Sequence, residues 1–202
     1  MDATAQREFA INTATKDFGK ALVLARQTAS AWFRCQALAW VSRYAPEAEV
    51  VKVAEEAVSA ALSTDDPYQT VGVAAWPLRA LIERGYEQEV FRWLPKLMQT
   101  SENIANPVSR LNALYLLWQA VYPTIGPMKS LVLDKLISAC LSADSWKAGF
   151  TMREAVLVVA EESVFEANRL IAMMPDGVYK RQAQCRVAEG KRGCVRSFYW
   201  RK

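Results

Sequence analysis

Apolar positions along the chain recur at intervals of three and four residues, the spacing of a helix face turned toward a core. Runs that alternate apolar and polar residues strictly, as a half-buried strand would, are nearly absent. Local punctuation sharpens the picture. Asp66-Pro67 and Asn106-Pro107 each place a capping side chain before a proline at the first helical position. Gly126-Pro127 is a further proline start, and Gly85 and Gly190 stand where helix C-caps are expected. The pattern predicts helices near 4–13, 16–29, 31–45, 47–62, 67–84, 86–99, 107–121, 127–142, 146–161, 163–173 and 177–189. Pro77 and Pro95 fall inside two of these. A mid-helix proline costs about 3 kcal/mol through a lost hydrogen bond and a clash, so a kink or break is expected at each.

A weak repeat runs through the helices. Residues 34–40 (Arg-Cys-Gln-Ala-Leu-Ala-Trp) align with residues 70–76 (Thr-Val-Gly-Val-Ala-Ala-Trp), and then with residues 110–116 (Arg-Leu-Asn-Ala-Leu-Tyr-Leu). Looser matches follow at 152–155 and 180–183. The aligned position is small throughout: Ala37, Val73, Ala113, Ala155 and Ala183. A small residue lets two helix backbones approach, and bulkier neighbours fill the space between repeats. Such a period marks stacked helical hairpins, here about 16–45, 47–85, 86–122, 126–162 and 163–190.

On these residues the chain resembles the α-solenoid superfamily. Asp66-Pro67-Tyr68 through Trp76, Arg79 and Gly85 is similar to the second helix of a HEAT-type hairpin. Residues 80–90, with Gly85-Tyr86 at their centre, are similar to the turn of a tetratricopeptide repeat. The resemblance implies an all-α, right-handed α-solenoid of about five antiparallel helix pairs; the alternative is an irregular helical bundle. The expected organisation is one helical repeat domain over 1–190 and a basic, aromatic C-terminal tail over 191–202.

Composition narrows the chemistry. The 202 residues are 52% hydrophobic and 23% charged, which excludes a disordered chain and gives enough length to bury a core without disulfides or metal. There is no histidine, so Ser-His-Asp and Cys-His pairs and Glu-x-x-His di-iron sites are excluded. Cys35, Cys140, Cys185 and Cys194 have no C-x-x-C spacing and read as free thiols of a reducing compartment. Asp2, Arg7, Glu8, Lys16 and Asp17 interrupt any signal-peptide core. The longest uncharged run, 111–128, is broken by Asn112, Gln119, Pro123, Gly126 and Pro127. A cytoplasmic protein with no integral membrane segment and no cofactor is expected.

Charge is unevenly spread. From Gly177 to Lys202 there are eight basic residues and one acid, Glu189, whereas the preceding 176 residues carry 17 basic and 20 acidic residues. Carboxylate groups such as Glu55-Glu56, Asp65-Asp66 and Glu161-Glu162 read as capping or solvated rather than catalytic. The loop Gly190-Lys191-Arg192-Gly193 lacks the strand context of a phosphate-binding turn. Of seven tryptophans, Trp40, Trp76 and Trp118 fall on apolar faces and read as core, while Trp32, Trp93 and Trp146 lie near helix starts or kinks.

Two columns flank the small residue of each repeat. Arg34, Thr70, Arg110, Met152 and Lys180 stand three before it, and Arg43, Arg79, Gln119, Glu161 and Glu189 six after. Solenoids bind partners along one helix set. The expected function is therefore a non-enzymatic protein-binding module, such as an adaptor or an inhibitor or immunity protein that blocks its partner. Its expected partner-binding residues are Arg34, Arg43, Arg79, Arg110, Trp32 and Trp146. The alternative is a HEAT-like nucleic-acid-binding domain that uses basic helix faces and tail contacts from Lys191, Arg192, Arg196, Trp200 and Arg201.

Overall fold

The computed structural model describes residues 2–124 and 127–191. The tail residues Arg192, Arg196, Trp200 and Arg201 lie outside the described residues. Among those described, every regular element is helical: α1 (Ala3–Ala14), α2 (Phe18–Arg26), α3 (Ala31–Arg43), a 3-10 turn (Glu47–Glu49), α4 (Val50–Leu62), α5 (Pro67–Glu83), α6 (Glu87–Glu102), α7 (Pro107–Val121), α8 (Pro127–Ser142), α9 (Trp146–Glu162), α10 (Val164–Met173) and α11 (Val178–Ala188). The fold is all-α.

Local chemistry sets the boundaries. The side chains of Asp66 and Asn106 accept from the backbone N–H of Gln69 and Ser109, as their position before proline predicts. Asp2, Asp17, Ser145 and Ser163 cap α1, α2, α9 and α10 in the same way. Gly85 and Gly190 have φ of 80° and 67°, the left-handed region. Behind Gly85 the Tyr86 N–H returns to the Leu81 carbonyl, and behind Gly190 the Lys191 N–H returns to the Arg186 carbonyl, closing both helices.

Neither internal proline breaks its helix. α5 runs through Pro77 and α6 through Pro95. Pro77 leaves the Val73 carbonyl without its usual donor four residues on, and the buried Cys35 thiol of α3 donates to that oxygen at 3.4 Å. Pro95 and Phe91, the residue whose carbonyl Pro95 frees, are both on the exposed face of α6.

One apolar core extends from Ala10 to Ala183. Short connections make successive helices antiparallel. α3 packs on α1 and α5, and α5 on α7; α9 packs on α11. Each even-numbered helix lies against the odd-numbered ones before and after it. The five small residues aligned in the sequence, Ala37, Val73, Ala113, Ala155 and Ala183, are all buried. Gly72 of α5 shows the close approach: a Cβ there would sit 3.6 Å from Leu116 and 3.7 Å from Trp32.

Ion pairs span the gaps between even-numbered helices. Arg26 of α2 holds Glu56 of α4 through two bonds of 2.8 and 2.7 Å, Arg92 of α6 reaches Glu55 of α4, and Lys135 of α8 pairs with Glu102 of α6. The register loosens after α7. α7 and α9 touch sparsely compared with α3 and α5, while α8 and α10, like the even-numbered pairs before them, have no substantial contact. Lys129 of α8 pairs with Glu162 at the end of α9, and Arg169 pairs with Glu166 inside α10.

Candidate functional site

A groove runs through the C-terminal third. It begins with a cavity of about 170 Å³ floored by Trp118, Leu133 and Val159 and rimmed by Lys129, Glu162 and Arg169. Asp134, Arg169 and Leu170 are shared with a second cavity of about 540 Å³ between α8 and α10, which also takes in Ile137, Leu141 and Met173. Leu141 and Ser142 continue into a third of about 380 Å³, enclosed by the turns before α9 and α11. The three form one path along α8.

Exposed apolar side chains gather in the same third. Leu141 and Met173, on opposite walls, are each 43% exposed, Trp146 is 65% exposed and Phe165 78%. Trp146 belongs to an aromatic row at the third cavity. Its ring lies 6.5 Å from Phe150, and Phe150 meets Tyr179 edge-on at 6.5 Å. Arg153 lies over Phe150 and Tyr179 at 4.8 and 5.6 Å and donates to Glu154 and Gln182.

The groove's charges are mostly negative. Asp134, Asp144, Glu162, Glu166 and Asp176 line it, against Lys129 and Arg169. Lys129 Nζ donates to both Glu162 oxygens at 2.7 and 2.6 Å and lies 5.9 Å from the Tyr122 ring centre. Burial, then the nearby carboxylates Glu161 and Glu162, raises the Tyr122 hydroxyl above its ordinary range. The Glu166 carboxylate raises Arg169, and the Lys180 ammonium holds Asp176 below the usual carboxylate value. Cys140 faces the third cavity with its thiol pushed up to about 12 by burial, so it stays protonated and a poor nucleophile.

The other residues singled out from sequence lie elsewhere. Arg34 and Arg110 each reach back to the carbonyl six residues earlier: Arg34 to Thr28 at 3.1 Å, and Arg110 to Ile104 at 2.8 Å. Thr70, in the same column, bonds Thr64 at the same separation. These three members of the column clasp the turn that enters their helix, whereas Met152 is buried in the core and Lys180 pairs with Asp176. Arg43, Arg79 and Gln119 are brought together. Glu83 accepts from Arg43 at 2.8 Å and Arg79 at 2.9 Å, and Arg79 reaches the Gln119 carbonyl at 3.5 Å. Arg43 also stacks 4.6 Å from the Trp40 ring. Trp32 is half-buried over Gly72, and Lys191 pairs with Glu189. Trp40, Trp76 and Trp118 are buried, as their apolar faces predict.

Sequence reasoning missed the groove itself. Its signal was present in Leu141, an apolar residue that falls off the core-facing stripe of its helix. It also missed Arg84, whose guanidinium donates to the carbonyls of Arg43 and Ala45 at 2.9 Å and to Glu47 at 2.8 Å, neutralising the C-terminus of α3.

Among the described residues, no group of side chains is suited to hold a metal ion, and no helix is long and apolar enough to cross a membrane. Comparison of the chain with protein-family models, with curated proteins and with solved structures finds no match in any of the three.

Proposed function

We propose that this chain is a non-enzymatic, cytoplasmic protein-binding module: a right-handed row of stacked helix pairs that captures a partner protein, as an adaptor or as an inhibitor or immunity protein. The observation that carries the reading is the groove between α8 and α10, whose walls keep Leu141 and Met173 in solvent, with the exposed Trp146 next in sequence to Ser145 of the third cavity. Contiguous exposed apolar surface with a polar rim is the usual mark of an interaction site. Aromatic anchors at its centre supply most of the energy of such interfaces.

The test is affinity purification from the native cell with quantitative mass spectrometry. Wild type is compared with the Leu141→Glu, Met173→Glu double variant. One or a few proteins captured by wild type and lost from the variant, with unchanged thermal unfolding, support the reading. Identical capture profiles contradict it. Recovery of nucleic acid in place of protein would favour a HEAT-like nucleic-acid-binding domain.

A further inference from the structure

We propose that the groove along α8 takes a basic amphipathic helix of about four turns from the partner. This deepens the protein-binding reading and rests on it. Three features of the groove specify that occupant.

The first is shape. Leu133, Ile137 and Leu141 follow one another at intervals of four on α8 and line the groove, with Leu170 and Met173 facing them from α10. Such a wall receives the apolar stripe of a helix, whose anchors repeat at three and four residues. The second is length. From Lys129 to Ser142 the α8 wall extends about 20 Å at 1.5 Å per residue, room for roughly 14 helical residues. Salt bridges tie α2 to α4, α4 to α6 and α6 to α8, whereas among the described residues none joins α8 to α10, whose Asp134 and Arg169 line the same cavity. A guest helix between them completes the packing that α9 alone provides beneath.

The third is charge. Five carboxylates and two cations line the path; Glu162 and Glu166 are paired with Lys129 and Arg169 and Asp176 with Lys180, which leaves the excess negative charge on Asp134 and Asp144. Asp134 and Asp144 lie at the middle and far end. The potential presented to an incoming helix is negative, so lysines or arginines flanking the apolar stripe are favoured and glutamates are repelled.

The experiment uses the full chain and fluorescently labelled synthetic peptides. One is a 16-residue amphipathic helix, about four turns long, with a leucine stripe flanked by lysines. The second replaces every lysine by glutamate. The third reproduces residues 191–202. Anisotropy is read at about 50 and about 300 mM salt, concentrations that change the screening length roughly twofold. The expected result is binding of the basic peptide about tenfold or more tighter than the acidic one, weakened by salt, with peptide helicity rising on binding. Leu141→Glu and Met173→Glu should each weaken it about tenfold. Both sites are exposed, so the fold tolerates the change.

Equal or tighter binding of the acidic peptide, no binding of either, or indifference to the two substitutions overturns the proposal. So does tighter binding of the 191–202 peptide, which makes the chain's own C-terminus the occupant. A dimer in sedimentation that Leu141→Glu dissolves also overturns it, in favour of a second copy. If the double variant loses a cellular partner while the basic peptide is ignored, protein docking stands and the helix chemistry falls.

Discussion

The Cys35 thiol donates to the Val73 carbonyl oxygen at 3.4 Å, and Val73 is the residue whose helical partner Pro77 removes. α3 thus supplies the donor that α5 lacks, in a position fully shielded from water. Cys35→Ala leaves that oxygen unsatisfied and opens a small cavity, at a cost of about 1–2 kcal/mol. In a Pro77→Ala background the restored backbone N–H at position 77 takes over the carbonyl, and the cost of Cys35→Ala should fall by about 0.5 kcal/mol or more. Urea unfolding of the four proteins of this cycle measures the coupling. Additivity would show that the thiol is merely packed.

Most helix boundaries were legible because they are local. Asp66-Pro67, Asn106-Pro107, Gly85 and Gly190 carry their own instructions within four residues. The continuity of α5 was not legible, because the donor that relieves Pro77 lies 38 residues away in sequence from the carbonyl it serves. The role of Arg84 was hidden for the same reason, since its carbonyl partners belong to the end of α3. The Arg34–Thr70–Arg110 column was visible as a recurring sequence pattern, but sequence could not say whether its polar ends face a partner or the chain's own turns. Of the predicted anchors among the described residues, only Trp146 lies near the groove. The groove depends on how α8 and α10 are placed on α9, and only the off-stripe Leu141 hinted at it.

Gly149 of α9 is pressed against Tyr179 of α11. A Cβ at Gly149 would come 2.5 Å from the ring, so Gly149→Ala must displace Tyr179 into the neighbouring cavity. Alanine's helix propensity recovers up to about 1 kcal/mol, but overpacking costs about 1–3 kcal/mol. The expected net effect is a loss of about 1 kcal/mol in urea unfolding. A gain would mean that the α9–α11 contact yields freely.

Arg110 makes charge-assisted bonds to the Ile104 and Glu102 carbonyls. Arg110→Ala should cost about 1–3 kcal/mol, and Arg110→Lys, which keeps the charge but loses the fork, should fall between. Arg34→Ala, which loses longer bonds, should cost less. Thermal unfolding ranks the three. Unchanged stability in Arg110→Ala would remove the turn-clasp role.

Stability should fall at both ends of the pH range. Hydrogen bonds from Arg26 hold Glu56 below its ordinary value, and Lys135 does the same for Glu102. A depressed carboxylate adds stability above its unfolded value near 4.5, and that stability is lost as pH falls through the lower folded value. At the alkaline end, burial pushes the Cys140 thiol from 9.0 up to about 12. The unfolded chain then releases the proton first, so stability is full below pH 9 and is lost as pH rises toward 12. Urea midpoints from about pH 3 to about pH 11 should show both declines, with a shallower alkaline slope in Cys140→Ala.

Site-specific photo-crosslinking tests the docking groove most directly. A photoreactive side chain at position 141 on the groove wall is compared in the native cell with the same group at position 23, where Val23 is exposed on α2. A discrete protein adduct at 141, absent at 23 and lost when Met173→Glu is added, is the expected result. No adduct at 141, or the same adducts at both positions, would contradict the groove as the partner-binding site.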